Sequence, residues 1–199
     1  MKFKHFKSVA PVIIAVSAIF SIAQSAWAEN APRVKFATTA GDFVVEVYPE
    51  KAPKTVENFL QYVKDKHYDG TIFHRVIENF MVQGGGFDAN FVQKKTRAPV
   101  VHEGREALAK GGPKNVVGTL AMARTNDPNS ATAQFFINVK DNPNLDPSAQ
   151  QPGYTVFGKV VGGMEVVQKI RTTPTGAGGP FQSDAPKTTI LINSATLEK

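Results

Sequence analysis

Short runs in which apolar and polar residues alternate recur along most of the chain after residue 33. Runs of this kind, rich in β-branched and aromatic residues and bounded by Gly, Pro, Asn or Asp, predict β-strands. The first two flank Gly41-Asp42 and therefore predict a β-hairpin. The predicted strands cover residues 34–38, 43–48, 71–77, 80–83, 117–123, 134–140, 154–160 and 188–197.

A helical period replaces this alternation in the segment PKTVENFLQYVKD. Val56, Phe59, Leu60 and Val63 stand at positions i, i+3, i+4 and i+7, which predicts an amphipathic helix with Thr55 as its N-cap. A second, shorter helix is predicted after a Gly-Gly pair, over residues 164–170.

Residues 88–115 and 171–187 are interrupted by Gly and Pro, so we expect them to be surface loops. Many antiparallel strands with two helices favour a closed barrel or a sandwich whose open ends the helices cover. No repeat, low-complexity tract or charged linker divides residues 29–199, which predicts a single domain.

Residues 1–28 have the organisation of a secretory signal peptide. A basic start with three lysines precedes an uncharged apolar run, and Ala26-Trp27-Ala28 supplies the small residues of a cleavage site. The apolar run spans about 15 residues, fewer than the ~20 that cross a bilayer. We therefore expect cleavage after Ala28 and no stable membrane insertion of the mature chain.

The charge distribution and the cysteine content exclude two classes of function, nucleic-acid binding and thiol chemistry. The predicted signal contains three of the 23 basic residues and none of the 17 acidic ones, so its removal lowers the net charge from +6 to +3. The remaining charges of both signs are interspersed, whereas a nucleic-acid-binding protein needs a concentrated basic face. The chain has no cysteine, which excludes thiol chemistry and leaves the core as the source of stability.

Common catalytic motifs are missing from the sequence. His67, His74 and His102 do not have the spacing of metal ligands, so no metal or cofactor is expected. The glycine runs at residues 84–86 and 176–179 lack the remainder of a phosphate-binding or dinucleotide-binding motif and are interpreted as tight turns. No G-x-S-x-G motif of a serine hydrolase occurs.

Arg75 is an unusual residue for the apolar strand FHRVI. Strict alternation would place Phe73, Arg75 and Ile77 on one face and His74 and Val76 on the other. A guanidinium among apolar neighbours is unfavourable unless it is paired or used. An ion pair with a distant carboxylate, or a side chain that extends over apolar surface to solvent, remains an alternative to a catalytic role.

The segment FHRVIENFMVQGGGF resembles the signature F-H-R-[VI]-I-x-x-F-M-x-Q-G-G of the cyclophilins, which are peptidyl-prolyl cis–trans isomerases that bind cyclosporin. Three later segments, GTLAMAR, QFFI and YTVFGKVVGGMEVV, are similar to further blocks of that family in the same order. The similarity extends from about residue 34 to 197. It implies a mainly β fold, a closed eight-stranded antiparallel barrel capped by two α-helices, with the substrate groove on its outer face.

The resemblance also implies a set of site residues. Arg75 is the implied catalytic residue, and a pocket for the proline ring is formed by Phe80, Met81, Phe136 and Leu145. The groove that holds the peptide backbone is implied to include Gln83, Ala123, Arg124, Gln134 and Tyr154.

Two positions depart from the common family pattern. Asn144 stands where many members have a tryptophan that contacts cyclosporin, so drug binding is expected to be weakened. Tyr154 replaces a histidine and, with the long connection before it, indicates the bacterial exported branch. We therefore expect a monomer in the periplasm, or alternatively a secreted protein, that acts on proline-containing unfolded or flexible polypeptides.

Two other functions remain compatible with this pattern. The first is a chaperone that holds peptides in the groove without turnover, which a proline-peptide assay would distinguish from an isomerase. The second is a barrel that carries a small apolar ligand inside, as lipocalins do. Bulky residues at the predicted interior positions disfavour the latter.

Overall fold

The computed structural model describes residues 31–198, and the predicted signal peptide lies outside the described residues. None of the helices in this range is long and apolar enough to cross a membrane. The elements are β1 Arg33–Thr38, β2 Gly41–Val47, α1 Pro53–Lys64, β3 Thr71–Ile77, β4 Met81–Asp88, α2 Gly104–Ala109, β5 Thr119–Met122, β6 Phe135–Asn138, β7 Val156–Gly162, α3 Met164–Arg171, β8 Thr175–Gly178, β9 Phe181–Pro186 and β10 Leu191–Leu197, with 3-10 helices at Pro128–Ser130 and Pro143–Leu145.

Eight strands form a closed barrel in the order β1-β10-β3-β4-β6-β5-β7-β2, and every neighbouring pair is antiparallel. The first and last strands pair along their length, with Val34 opposite Leu197, and this pairing closes the barrel. Closure satisfies the strand edges that an open sheet would leave unpaired. The predicted eight-stranded barrel is confirmed.

Aromatic side chains fill the interior of the barrel. Phe36 and Phe43 stack with ring centroids 5.0 Å apart, and Phe135 contacts Phe36 at 5.4 Å. Phe59 extends from α1 into the same cluster, 5.1 Å from Phe157. Each ring contributes roughly 1.5–3 kcal/mol through burial. A filled interior leaves the outer surface for substrate and argues against the lipocalin-like alternative.

Helix α1 begins three residues earlier than a Thr55 N-cap would allow. Its N-cap is Ala52, which makes no side-chain capping bond, and Pro53 occupies the first turn. The backbone N–H groups of Lys54 and Thr55 donate instead to the buried carboxylate of Glu103, at 3.1 and 2.8 Å. The prediction of Thr55 as the cap was wrong, because a residue 48 positions away supplies the acceptor.

The two segments predicted to be loops each contain regular structure. The six-residue helix α2 lies within residues 88–115, and the β8–β9 hairpin lies within residues 171–187. Phe181 of β9 stacks on His74 of β3 with ring centroids 5.3 Å apart, so the hairpin packs against the outside of the barrel. Helix α3 begins at Met164 as predicted and ends one residue later, at Arg171.

The glycine run at residues 84–86 lies inside strand β4 and is not a tight turn. A Cβ on Gly85 would stand 2.8 Å from the ring of Tyr68 and 3.1 Å from that of Phe135. The absence of side chains there allows aromatic rings to approach the strand closely. Of the second run, Gly176 and Gly178 belong to β8, and Gly179, with φ of 51°, stands in the hairpin turn.

A β-bulge changes the faces of strand β3. The register with β4 shifts between Phe73 and Arg75, so Phe73 and Val76 both point into the core although they are three residues apart. The prediction that Phe73 and Arg75 share a face was wrong for this reason. The bulge directs Arg75 to the outer face of the barrel, where it pairs with Gln83 of β4.

Candidate active site

A second buried apolar cluster lies on the outer face of the barrel, separate from the core. Strand alternation produces it: in β6, Phe135 and Ile137 point inward and Phe136 points outward. Phe136 lies between Gln83 of β4 and Ala121 of β5 in the sheet. The cluster consists of Met81, Ala121, Phe136 and Val156, with Ile77, Phe80, Ala123, Leu145 and Tyr154 packed at its margin.

The cluster forms the floor of a cavity of about 160 Å³, which we call the slot. Phe80 precedes β4, whereas Leu145 ends the 3-10 helix Pro143–Leu145, so loops raise the two walls above the sheet. Apolar groups cover the floor, and polar groups stand at the rim. The slot is lined by Arg75, Phe80, Met81, Gln83, Ala123, Arg124, Phe136, Leu145 and Tyr154.

Arg75 presents its guanidinium at the rim of the slot. Its Nη1 lies 3.5 Å from Oε1 of Gln83, a long hydrogen bond, and its Nε lies 3.8 Å from Oδ2 of Asp184 on β9. Among residues 31–198, none accepts a hydrogen bond from Nη2. The side chain is 40 % exposed, so it is restrained on two sides while a charged donor faces the cavity.

Two glutamine side chains continue the polar rim away from Arg75. Nε2 of Gln83 donates to Oε1 of Gln134 at 2.9 Å. This bond fixes the orientation of the Gln83 amide, so its oxygen faces Arg75. Gln134 itself does not line the slot, but its side chain bonds to Gln83 and its carbonyl oxygen accepts a hydrogen bond from Ala123 N at 3.0 Å.

Arg124 is held firmly on the opposite side of the slot. Its Nε and Nη2 donate to the carbonyl oxygen of Gly153 at 3.1 and 2.8 Å, and its Nη1 donates to the carbonyl oxygen of Thr125 at 2.7 Å. The guanidinium lies over the ring of Tyr154, 4.6 Å from the centroid. Arg124 therefore builds the rim through bonds that use all three of its nitrogen atoms and three of its five N–H groups.

His74 lies next to Arg75 in sequence but is buried between Phe87 and Phe181. Burial lowers the pKa of His74 from 6.5 to about 4, and the positive charge of Arg75 acts in the same direction. The imidazole is therefore neutral at neutral pH. It supports the strand that carries Arg75 without adding a second charge to the site.

A larger open groove of about 490 Å³ lies between α1 and residues 97–101. Its charged groups are solvated, and Arg97 already pairs with Asp65 at 3.1 Å. The slot is smaller, but it combines an apolar floor with a guanidinium that retains a free donor. We take the slot as the chemical site for that reason.

The structure brings nine of the ten residues named from the sequence around this one cavity, and Gln134 lies behind them. Asn144 is exposed and does not line the slot. Asp184, the acidic neighbour of Arg75, was not anticipated. It belongs to a segment predicted to be a loop, and no local pattern connects it to β3.

Comparisons with known proteins agree with this geometry. A family described as cyclophilin type peptidyl-prolyl cis-trans isomerase/CLD matches residues 33–197. Peptidyl-prolyl cis-trans isomerase cyp18 of Streptomyces antibioticus is 52 % identical, over 82 % of this chain and 97 % of its own length. Peptidyl-prolyl cis-trans isomerase B of Escherichia coli is 50 % identical, over 83 % of this chain and 99 % of its own.

A third relative extends the comparison towards the N-terminus. Peptidyl-prolyl cis-trans isomerase A of Dickeya dadantii is 44 % identical, over 97 % of this chain and 98 % of its own length. Among solved structures, a cyclophilin type isomerase of Cryptosporidium parvum matches with a TM-score of 0.67 and 26 % identity, over 84 % of this chain and 98 % of that one. With the barrel, the outer slot and these matches together, the chain belongs to the cyclophilin type family of peptidyl-prolyl cis–trans isomerases.

Proposed function

We propose that this isomerase binds the proline ring of an X–Pro segment in the slot and that Arg75 stabilises the twisted peptide bond. The observation that carries the proposal is the free Nη2 donor of Arg75 at the polar rim of a cavity with an apolar floor. Phe80, Met81, Phe136 and Leu145 hold the ring. The polar rim holds the peptide backbone on either side.

The chemistry requires no covalent intermediate. Amide resonance opposes rotation about the bond with a barrier of roughly 18–20 kcal/mol. Twisting removes this resonance and leaves the lone pair on the prolyl nitrogen, which can then accept a hydrogen bond. A donor aimed at that nitrogen stabilises the transition state and not the planar ground states, so it accelerates rotation in both directions.

The two arginines at the slot are not equivalent candidates for this donor. Arg124 uses Nε, Nη1 and Nη2 in bonds to backbone oxygens of 3.1 Å or less. Arg75 has only a 3.5 Å bond to Gln83 and a 3.8 Å ion pair to Asp184. A donor released from weak partners is available to the twisted amide, which favours Arg75.

The size of the rate acceleration, compared with the energy of one hydrogen bond, indicates that Arg75 does not act alone. Millisecond turnover from uncatalysed times of minutes is an acceleration of about 10⁵, or roughly 7 kcal/mol. A hydrogen bond from a charged donor contributes about 1.5–3 kcal/mol. The remainder comes from the apolar slot, which excludes water and fixes the ring while the preceding carbonyl group rotates.

The substrates we propose are proline-containing segments of unfolded or flexible polypeptides outside the cytoplasm, whose slow proline steps this enzyme accelerates. A solved structure of the Cryptosporidium parvum isomerase was obtained in the presence of the dipeptide Ala-Pro, which supports proline recognition in the family. The N-terminal signal features of the sequence support export to the periplasm. The enzyme acts as a monomer, and Asn144 weakens its binding of cyclosporin.

Two measurements test the cellular part of this proposal. Cell fractionation with N-terminal sequencing is expected to find the protein in the periplasm, beginning at Glu29. Refolding of a protein whose slow phase is proline isomerisation is expected to accelerate when the mature isomerase is added in catalytic amounts. A cytoplasmic protein that retains Met1, or acceleration that requires stoichiometric amounts, would contradict export or turnover, respectively.

A further inference from the structure

Three buried asparagine side chains connect the two walls of the slot from behind. Asn142, Asn138 and Asn115 are 4 %, 0 % and 1 % exposed, respectively. Nδ2 of Asn142 donates to the carbonyl oxygen of Phe80 at 2.9 Å, and Nδ2 of Asn115 donates to the carbonyl oxygen of Leu145 at 3.2 Å. Phe80 and Leu145 stand on separate loops, and both line the cavity.

The chain of bonds between these ends is continuous and runs in one direction. Nδ2 of Asn142 also donates to Oδ1 of Asn138 at 2.7 Å, and Nδ2 of Asn138 donates to Oδ1 of Asn115 at 3.2 Å. The second hydrogen of Asn138 Nδ2 is directed to Thr119 Oγ1 at 3.0 Å, and that of Asn115 Nδ2 to Asp146 Oδ1 at 3.1 Å. All six N–H groups of the three amides are thus used.

Full use of the donors fixes the orientation of every amide. Rotating any one of them by half a turn would oppose donor to donor and leave a buried N–H without a partner, which is unfavourable by about 1–3 kcal/mol. Phe80 and Leu145 lie outside the named strands, and each carbonyl oxygen accepts one further bond, from Val139 N at 3.2 Å and from Tyr154 N at 2.9 Å, respectively. The asparagine bonds join these two backbone segments to each other and so contribute to their separation.

We propose that Asn142 is a positioning residue that, through Asn138 and Asn115, sets the width of the slot and thereby its affinity for proline. The inference rests on the proposed function, since it assumes that the ring enters between Phe80 and Leu145. Asn142 does not line the slot, and its side-chain bonds go to Phe80 and Asn138 and not to Arg75. Its removal acts on the fit of the ring and leaves the donor to the twisted amide in place.

Asn142→Leu is the direct test, because leucine has a similar volume and no donor. We expect KM for a cis-proline peptide, and Kd for the same peptide by NMR titration of the labelled protein, to rise about tenfold, since the change removes both hydrogen bonds that Asn142 Nδ2 donates. We expect kcat to stay within about twofold of wild type, since Arg75 is unchanged.

Thr119→Val is the matched control. The Thr119 hydroxyl accepts the branch bond from Asn138 and donates to the carbonyl oxygen of Val116 at 2.7 Å. This isosteric change therefore removes two hydrogen bonds, as many as Asn142→Leu does, but leaves the path from Phe80 to Leu145 whole. A melting temperature lowered by a few degrees is expected in both variants. KM and Kd are expected to rise only in Asn142→Leu.

Two results would overturn the inference: an unchanged KM in Asn142→Leu, or an equal rise of KM in both variants. Should the leucine variant not fold, Asn142→Ser, which retains one donor, takes its place. Its KM and Kd are then compared with those of Thr119→Val in the same way. Wild-type activity in the same assay distinguishes a failure of the proposed function from a failure of the role assigned to Asn142. An inactive wild type would refute the proposed function, whereas an active wild type with the results above would refute only the role of Asn142.

Discussion

The Nε atom of Arg75 lies 3.8 Å from Oδ2 of Asp184, and the two side chains are 40 % and 35 % exposed. Asp184 stands on the hairpin that packs against the barrel and has a φ of 65°, a left-handed conformation that aspartate tolerates better than most residues. Ion pairing and catalysis were both open explanations of Arg75 from the sequence. The structure contains the ion pair, yet the guanidinium still lines the slot.

Asp184→Asn is expected to lower kcat/KM by less than about fivefold. A half-exposed ion pair contributes about 0–1 kcal/mol, and asparagine keeps the backbone conformation. In 1 M salt the kcat/KM of the wild type is expected to fall towards that of the variant, because salt screening weakens the ion pair. Ser183→Ala, a change at an exposed neighbour on β9, is the control. A loss as large as that of Arg75→Ala would show that the carboxylate is an essential partner.

Acid destabilisation is expected to depend on His74. Its folded-state pKa of about 4 lies below the ordinary 6.5, so the unfolded chain binds a proton that the folded one does not. The stability contributed by neutral His74 is complete above about pH 6.5 and is lost as the pH falls towards 4, by on the order of 3 kcal/mol.

His74→Gln removes this titration. The difference in free energy of unfolding between variant and wild type, from urea curves between pH 7 and 4, is expected to shift in the variant's favour as the pH falls. His67 and His102, whose pKa values burial also lowers, are present in both proteins and cancel. A difference that stays constant over this range would contradict the assignment.

Glu103→Ala is expected to lower the free energy of unfolding by about 3 kcal/mol and to leave kcat unchanged. The carboxylate accepts bonds from Lys54 N, Thr55 N and Thr55 Oγ1, and its negative charge lies at the N-terminus of α1. Glu106→Ala, at an exposed acidic residue, is the control and is expected to change stability by less than about 0.5 kcal/mol. Urea denaturation measures both, and equal effects would contradict the capping role.

Gly86→Ala is expected to reduce kcat/KM about tenfold while the fold is retained. A Cβ at this position would stand 2.5 Å from Cγ and Cδ of Gln134, so that side chain must move and release Gln83. Loss of a buried hydrogen bond of about 1–1.5 kcal/mol corresponds to a change of this size. Gln134→Ala removes the same hydrogen bond without a steric clash, and it is expected to reduce kcat/KM by a similar factor.

Gly162→Ala is the control for a glycine-to-alanine change in a strand, since its Cβ would meet Val44 at an ordinary 3.7 Å. Activity close to that of the wild type is expected there. Full activity in both Gly86→Ala and Gln134→Ala would show that the glutamine pair does not support Arg75.

The barrel strands and α1 could be predicted because each carries its own period. Alternation depends on neighbours in sequence, and so does the helical spacing of Val56, Phe59 and Val63. The β8–β9 hairpin could not be predicted in this way, because its glycines and prolines interrupt the alternation of apolar and polar residues. Its position also depends on the packing of Phe181 on His74, which is distant in sequence. Helix α2 is six residues long, too short to establish a period.

The site was accessible from the sequence only where family motifs mark its residues. The bulge that turns Arg75 outward has no local signature, and the strict alternation of β3 gave the wrong face. The acidic neighbour Asp184 is 109 positions away along the chain. The side-chain amides of Asn115 and Asn142 are joined through Asn138 only in the folded protein, so their connection to the slot walls has no signal in the sequence.

The central claim is that the guanidinium of Arg75 stabilises the twisted amide, and turnover of a proline peptide by Arg75→Ala tests it most directly. Turnover is to be measured by NMR exchange at saturating peptide, with Arg75→Lys beside it and the melting temperature as a check of the fold. We predict that the alanine variant binds the peptide but loses at least about tenfold in kcat, the value of one charged hydrogen bond. Lysine, which lacks the planar fork, is expected to restore little. Wild-type kcat in a folded Arg75→Ala variant would contradict the account.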